Sequence, residues 1–128
     1  MFEGKFKPED NINCQDGKYA QHTGGGNTDS IGVSMCGMMG FLSTRKVGSY
    51  PLTKIQCESC FQLCAKLAKR YNIPLDREHI YTHYTFNKEH KRMTGKIDII
   101  YLPAYPQIQK DDIIRFIVDK IKWYYDRL

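Results

Sequence analysis

The sequence lacks the features that would insert the chain into a membrane or direct it to secretion. No run of about 18 apolar residues occurs, so we expect no transmembrane helix and no membrane insertion. No basic segment followed by an apolar segment opens the chain, which predicts no secretory signal and synthesis in the cytoplasm. We find no internal repeat, low-complexity tract or domain boundary, so residues 1–128 are expected to form a single domain.

Acidic residues are also in short supply. Fourteen Asp and Glu residues stand against 19 Lys and Arg, and the net charge of +5 favours an anionic partner such as nucleic acid, anionic lipid or cell-wall polymer. No helix-turn-helix, RNP or zinc-finger pattern is present, so we expect no nucleic-acid partner. The five cysteines are an odd number and cannot all pair within the chain, which predicts reduced thiols.

Hydrophobic periodicity predicts both helices and strands. Apolar residues recur three and four apart over residues 53–71, which predicts a helix with Thr53 as its N-cap. A second helix is predicted from near Asp111 to the end of the chain. Residues 30–37 are compact and mostly apolar, which predicts a buried strand, and residues 79–84 and 97–102 are predicted to be extended.

Three cysteines share one face of the first predicted helix. The spacing of Cys57, Cys60 and Cys64 invites a redox or metal interpretation. A packed apolar stripe explains the same pattern, because small thiols are common in cores. A structural zinc would need a fourth ligand, and none lies nearby in sequence, so we favour the core interpretation.

The residues with most chemical potential are His83, Lys96 and Asp98. Lys96 and Asp98 are two apart in an extended segment and therefore point to the same side. A histidine and a carboxylate could supply two of the three protein ligands of a catalytic zinc, and a lysine beside them could stabilise an oxyanion. By spacing alone, we favour the simpler interpretation of a strand-end histidine, a solvated lysine and a surface aspartate. His22 lies beside a glycine loop, where it could reach a ligand or simply be exposed.

Two separated motifs resemble a known family. Residues 21–33 read Gln-His-Thr-Gly-Gly-Gly-Asn-Thr-Asp-Ser-Ile-Gly-Val, which resembles the pattern H-x-x-G-x-N-x-x-S-I-G-I/V of zinc-dependent N-acetylmuramoyl-L-alanine amidases. This superfamily includes phage amidase-type lysozymes and peptidoglycan recognition proteins. Thr82-His83 followed by residues 94–98 resembles the family's second metal-ligand histidine and its downstream Lys-x-Asp/Cys. The first helix and the following Tyr-Asn-Ile-Pro resemble the family's helix and its Y-G-I-P ending, and the resemblance covers residues 4–103.

The resemblance implies a fold, a cofactor and roles for four residues. The fold would be α/β, with a central mixed β-sheet flanked by helices. His83 and Asp98 would be zinc ligands, Lys96 would stabilise the tetrahedral oxyanion, and His22 would lie in the substrate groove near the metal. The implied reaction is hydrolysis of the amide between the lactyl group of N-acetylmuramic acid and L-alanine in peptidoglycan.

The chain also departs from the family pattern. Its counterpart of the family begins near Gly4-Lys5, so the first strand and helix, with the first zinc-ligand histidine, have no match. Ser34 stands where some members carry a glutamate. Either the natural protein is longer upstream, or His22, His79 or His90 substitutes, or the chain is inactive; we favour an N-terminally incomplete domain. A missing strand would leave an exposed sheet edge and thus favour a homodimer.

Three functional hypotheses follow from these patterns. The first is a zinc amidase of phage or prophage type, an endolysin that acts on the bacterial cell wall, or a recycling amidase. The second is a non-catalytic peptidoglycan-binding module of the same fold. The third and weakest is a small basic nucleic-acid binder.

Overall fold

The computed structural model describes residues 6–15, 17–92 and 95–128. The chain divides into two compact units, one ending at Ser34 and the other running from Met35 to Leu128. The expected start of the family pattern at Gly4-Lys5 and the residue Thr94 lie outside the described residues. Among the described helices, none has the length and apolar character needed to cross a bilayer.

The regular structure of the described residues is helical. The helices predicted over residues 53–71 and from near Asp111 are confirmed, although the second begins with a 3₁₀ turn and ends shortly before the C-terminus. The elements are a 3₁₀ turn at Pro8–Ile12, α1 (Lys54–Tyr71), α2 (His83–Glu89), a 3₁₀ turn at Lys110–Asp112, and α3 (Ile113–Tyr125).

Helix α1 begins and ends at residues whose chemistry suits a helix terminus. The Thr53 hydroxyl accepts a hydrogen bond from the Gln56 backbone N–H at 3.2 Å, and the Gln56 side chain accepts one from the Thr53 N–H at 2.9 Å. This reciprocal capping box satisfies two backbone donors that a helix start leaves unpaired. At the other end Asn72 adopts the left-handed conformation, with φ of 54°. Asparagine tolerates that conformation better than most residues, so the helix ends there.

The core of the second unit lies between α1 and α3. Cys57, Phe61 and Ala65 are buried along α1, and Ile113, Ile117 and Ile121 are buried along α3 at the same three-to-four-residue spacing. Leu102 and Tyr105 from the connecting segment complete the cluster. Burial of one such side chain contributes about 1.5–3 kcal/mol, so this interface holds the unit together.

The predicted central mixed β-sheet is wrong for the described residues. Their β-pairing is limited to one isolated antiparallel bridge between Ser43 and Lys46. The segment 30–37 is not a buried strand, since Val33 and Cys36 are exposed, and residues 97–102 form no strand and bend at Ile99 and Ile100. Short apolar runs do not distinguish a paired strand from an irregular segment, and here no second strand is available to satisfy their backbone groups. The described residues therefore contain no sheet edge through which the expected homodimer could form.

A partly buried ion pair links α1 to α3 beside this core. The Lys120 ammonium donates to Glu58 Oε1 at 2.5 Å, and the Tyr124 hydroxyl donates to Glu58 Oε2 at 3.1 Å. Partial burial acts to raise the pKa of the Glu58 carboxyl, but the surrounding hydrogen bonds, of which that from Lys120 is the strongest, and the Lys120 charge together outweigh it and hold that pKa below its usual value. Burial and the neighbouring Glu58 carboxylate raise the pKa of the Tyr105 phenol.

We expect Glu58→Gln to lower the free energy of unfolding by roughly 1–3 kcal/mol at neutral pH, because it removes charge-assisted hydrogen bonds from a partly buried site. The lowered pKa of Glu58 means that its contribution is complete above the unfolded value of about 4.3 and is lost as the pH falls through the folded pKa. The difference between wild type and variant, measured by urea denaturation, should therefore shrink on acidification.

The matched control for this prediction is Glu89→Gln. Glu89 lies 3.7 Å from Arg77 in an ion pair whose side chains are both exposed. Such pairs contribute little, so the control should change the free energy of unfolding by less than about 1 kcal/mol. An equal loss in both variants would contradict the special role of Glu58.

Candidate metal and substrate site

The first turn of α2 fixes the position of His83. Thr82 and Thr85 form a buried capping box, in which the Thr85 N–H donates to the Thr82 hydroxyl at 3.1 Å and the Thr82 N–H donates to the Thr85 hydroxyl at 2.9 Å. The strand predicted over residues 79–84 is therefore wrong, because the chain turns at Thr82 and His83 opens a helix. The three-residue spacing of Thr82 and Thr85 is the sequence signal for this cap. The alternating pattern of residues 79–84 favoured a strand instead.

The structure brings His83 and Asp98 together. His83 Nδ1 lies 2.6 Å from Asp98 Oδ2, a hydrogen bond between residues 15 apart in sequence. The His83 side chain is 31% exposed and the Asp98 side chain 60% exposed, so solvent reaches both side chains. The roles of the two residues as metal ligands stay a prediction, but their side chains meet at one place on the surface.

A backbone hydrogen bond reinforces this meeting. The Tyr84 N–H donates to the Asp98 carbonyl oxygen at 2.8 Å. An N–H in the first turn of a helix has no partner within that helix, so Asp98 satisfies a donor that would otherwise face solvent. The segment that carries Asp98 is thus held to α2 by both its side chain and its backbone.

Farther along α2, Lys88 pairs with Asp111 at 3.2 Å, and this pairing lowers the pKa of the Asp111 carboxyl.

The histidines proposed as substitute ligands have other contacts. His79 Nδ1 lies 2.6 Å from Asp76 Oδ1 within one turn of chain, and this pairing lowers the pKa of Asp76. The His90 ring stacks on Phe86 with ring centroids 4.1 Å apart, and its Nδ1 donates to the Phe86 carbonyl oxygen at 2.9 Å. These contacts hold both rings within local turns, and a role for either histidine as a substitute metal ligand stays a prediction.

Lys96 lies two residues before Asp98 and is exposed to solvent. Neither residue belongs to a strand, so the expectation that their side chains point to the same side stays a prediction. The oxyanion role that the family resemblance implies for Lys96 stays a prediction.

His22 belongs to the first unit and is held by its own loop. Its Nδ1 donates to the Ala20 carbonyl oxygen at 2.9 Å, and its Nε2 lies 3.1 Å from the Ser30 hydroxyl, which itself donates to the Gly26 carbonyl oxygen. The buried Asn27 side chain accepts from the His22 N–H at 2.8 Å and fixes the loop around it. A Cβ atom at Gly32 would overlap the imidazole, which explains why that position is glycine. His22 is thus a positioned residue rather than a side chain on a mobile loop.

The three helical cysteines differ in environment. Cys57 is fully buried, as the core interpretation predicts, whereas Cys60 and Cys64 are partly exposed. Burial raises the pKa of the Cys57 thiol to about 11. A hydrogen bond from Cys64 lowers the pKa of Cys60, and the same contact raises that of Cys64.

The donor set is chemically suited to zinc but incomplete. Histidine nitrogen and carboxylate oxygen are both zinc ligands, and His83 and Asp98 present one of each. A catalytic zinc takes three protein ligands. Within residues 6–15, 17–92 and 95–128, no group of three or more His, Cys, Asp or Glu side chains is placed to hold a metal ion. The described residues therefore bring together two candidate ligands, and their role as metal ligands stays a prediction.

The sequence of the chain defines its class. The family model for N-acetylmuramoyl-L-alanine amidase matches residues 8–98, which covers most of the chain and includes His22, His83, Lys96 and Asp98. The chain belongs to this family of peptidoglycan amidases. Comparison with curated proteins and comparison with solved structures each give no match.

We expect Thr82→Val to release the start of α2. The substitution keeps the side-chain shape but removes the hydroxyl that accepts from Thr85, which should cost about 1 kcal/mol of stability. Hydrogen exchange of the Tyr84 amide should become faster, since that amide bonds to Asp98. Thr44→Val, in an exposed turn, is the control and should leave the Tyr84 amide unchanged. Unaltered exchange in Thr82→Val would show that the cap does not position His83.

Proposed function

We propose that this chain contributes zinc ligands to an amidase, which hydrolyses the bond between the lactyl group of N-acetylmuramic acid and L-alanine. Membership of the amidase family supports a peptidoglycan substrate. The observation that carries the proposal is the 2.6 Å contact between His83 and Asp98, which joins a nitrogen and an oxygen donor from distant parts of the sequence.

Each site residue has a distinct task in this proposal. Zinc, when bound, supplies a water of lowered pKa and a Lewis acid for the scissile carbonyl. His83 and Asp98 would hold it, with a further ligand outside the two they provide. The Lys96 ammonium would stabilise the negative charge that develops on the carbonyl oxygen during attack. His22 would contact the substrate, with its ring oriented by Ala20 and Ser30.

The biological setting is part of the same proposal. The chain would be made in the cytoplasm and act on the bacterial cell wall, either as a phage- or prophage-type endolysin or as a recycling amidase. A basic surface suits this setting, because the net charge of +5 favours adhesion to an anionic wall.

A binding module is the second candidate, and one observation favours it. The described residues offer two zinc ligands rather than three, and two ligands hold zinc poorly. A chain with the same surface and no tightly bound metal would recognise peptidoglycan without cleaving it. Mass spectrometry of soluble muropeptides incubated with the chain separates the two candidates, since only the enzyme releases free peptides that begin with L-alanine.

We predict that the chain binds about one zinc ion when loaded with zinc and desalted. His83→Ala should abolish this binding because it removes the nitrogen donor. Asp98→Asn should weaken it, since a neutral amide is a poorer ligand than a carboxylate. Zinc content measured by plasma mass spectrometry, with calorimetric titration of the metal, gives both results.

The chain offers a matched control for this measurement. His79 and Asp76 form a pair with the same 2.6 Å contact through the same histidine nitrogen, but within one local turn. His79→Ala and Asp76→Asn should leave zinc content unchanged. Equal loss of zinc from both pairs, or from neither, would contradict the assignment of the metal to His83 and Asp98.

In an active preparation, we predict that Lys96→Ala lowers turnover of a muramoyl-peptide by roughly 10²–10³, the range for loss of one oxyanion donor. Zinc content should be unchanged, because lysine is not among the proposed ligands. Lys66→Ala removes an exposed lysine of α1 and serves as the control for the loss of one positive charge. Full turnover in Lys96→Ala would show that the oxyanion role is wrong.

A further inference from the structure

The loop between Met38 and Tyr50 has a defined shape. The Leu42 N–H donates to the Lys46 carbonyl oxygen at 2.9 Å, and the Lys46 N–H donates to the Ser43 carbonyl oxygen at 3.0 Å, which closes a tight turn. The Met38 N–H donates to the Tyr50 carbonyl oxygen and closes the base of the loop. These backbone bonds present the loop as a small hairpin-like projection of the second unit.

One glycine is required for this shape. Gly48 has φ of 83°, a conformation that side chains disfavour. A Cβ atom there would also meet the Met39 carbonyl oxygen, so no other residue fits without moving the backbone. The conformation is thus built into the sequence of the loop.

The loop exposes large apolar side chains to solvent. Met39 is 70% exposed and Leu42 is 77% exposed, and Tyr50 at the base is 58% exposed. Ile55, in the first turn of the adjoining α1, is 80% exposed. Single exposed apolar residues are ordinary, but a group within one short stretch of chain indicates a surface that becomes covered.

The charge of this stretch is of one sign. No Asp or Glu occurs between Asp29 and Glu58, whereas Arg45, Lys46 and Lys54 lie within it. All three cations are exposed, and within the part of the chain that the structure describes none of them forms an ion pair. The loop therefore combines aliphatic side chains with uncompensated positive charge.

We propose that the loop from Met38 to Tyr50 is a docking surface for an anionic lipid membrane. Cations attract the anionic headgroups, Met39 and Leu42 enter the boundary of the acyl chains, and tyrosine is favoured at the interface between them. A polysaccharide or polyphosphate partner would match the charge but offers no hydrocarbon for Met39 and Leu42. The proposed contact is shallow and is made by a loop at the membrane surface. It is therefore consistent with the absence of a long apolar segment that could insert into the membrane.

The test is co-sedimentation of the full chain with vesicles of phosphatidylcholine alone and of phosphatidylcholine mixed with phosphatidylglycerol. Wild type should bind the mixed vesicles and not the neutral ones. The double variant Met39→Ser with Leu42→Ser should bind at least about tenfold less, because two aliphatic side chains no longer leave water. The double variant Arg45→Gln with Lys46→Gln should bind roughly thirtyfold less, because two cations near the surface are lost.

Matched controls distinguish binding through this loop from nonspecific binding of the chain to vesicles. Ile12→Ser with Leu128→Ser removes two exposed apolar side chains elsewhere, and Lys66→Gln with Lys69→Gln removes two exposed cations from α1. Both controls should bind like wild type to within about threefold, and circular dichroism should show that all variants remain folded.

Several results would overturn the proposal. One is failure of the wild-type chain to bind anionic vesicles, and another is equal binding by the loop variants and the controls. A third is a dimer, seen by sedimentation equilibrium, that Met39→Ser with Leu42→Ser dissociates while vesicle binding stays the same; the loop would then cover a second copy of the chain. A fourth is loop-dependent binding to purified cell walls without binding to vesicles.

Discussion

The attachment of the Asp98 segment to the first turn of α2 is the constraint on which the candidate site depends. It consists of two hydrogen bonds, one from the His83 ring to the Asp98 carboxylate and one from the Tyr84 N–H to the Asp98 carbonyl oxygen. These two hydrogen bonds hold the Asp98 segment against the first turn of α2. The capping box of Thr82 and Thr85 makes the attachment possible, because it sets where the helix begins.

The core supports this arrangement from a distance. Packing of α1 against α3 orders the second unit, and Asp111, just before α3, contacts both Lys88 and Tyr84 of α2. The short α2 is therefore held by side chains of neighbouring elements rather than by its own seven residues, which are too few to be stable alone. This explains how a site can be defined without a sheet beneath it.

The family resemblance implies a catalytic zinc, but the described residues bring together only two candidate ligands for it. The family implies a zinc hydrolase, and His83 and Asp98 offer the appropriate atoms, yet a tightly held catalytic zinc takes three protein ligands. His22 is held by contacts within its own loop that involve no metal.

The sequence predicted the helices well and the strands poorly, for physical reasons. Periodicity and an N-cap are local signals, so Thr53 and the apolar stripe ending near Tyr71 located α1 closely. A strand forms only when a neighbouring strand pairs with its backbone. Strand-like composition occurs in residues 30–37, 79–84 and 97–102, but none of these segments pairs with another. The pairing of His83 with Asp98 was anticipated from the family motif, whereas the backbone bond from Tyr84 could not be, since any residue can supply it.

The most direct test of the account is X-ray absorption spectroscopy of the zinc-loaded chain. Nitrogen and oxygen ligands lie about 2.0–2.2 Å from zinc and sulfur ligands about 2.3 Å, so the spectrum distinguishes the two environments. The account predicts nitrogen and oxygen neighbours with a histidine contribution in the wild-type chain, and no bound zinc in His83→Ala. Sulfur neighbours that persist in His83→Ala would place the metal on Cys57, Cys60 and Cys64 and would contradict the central claim.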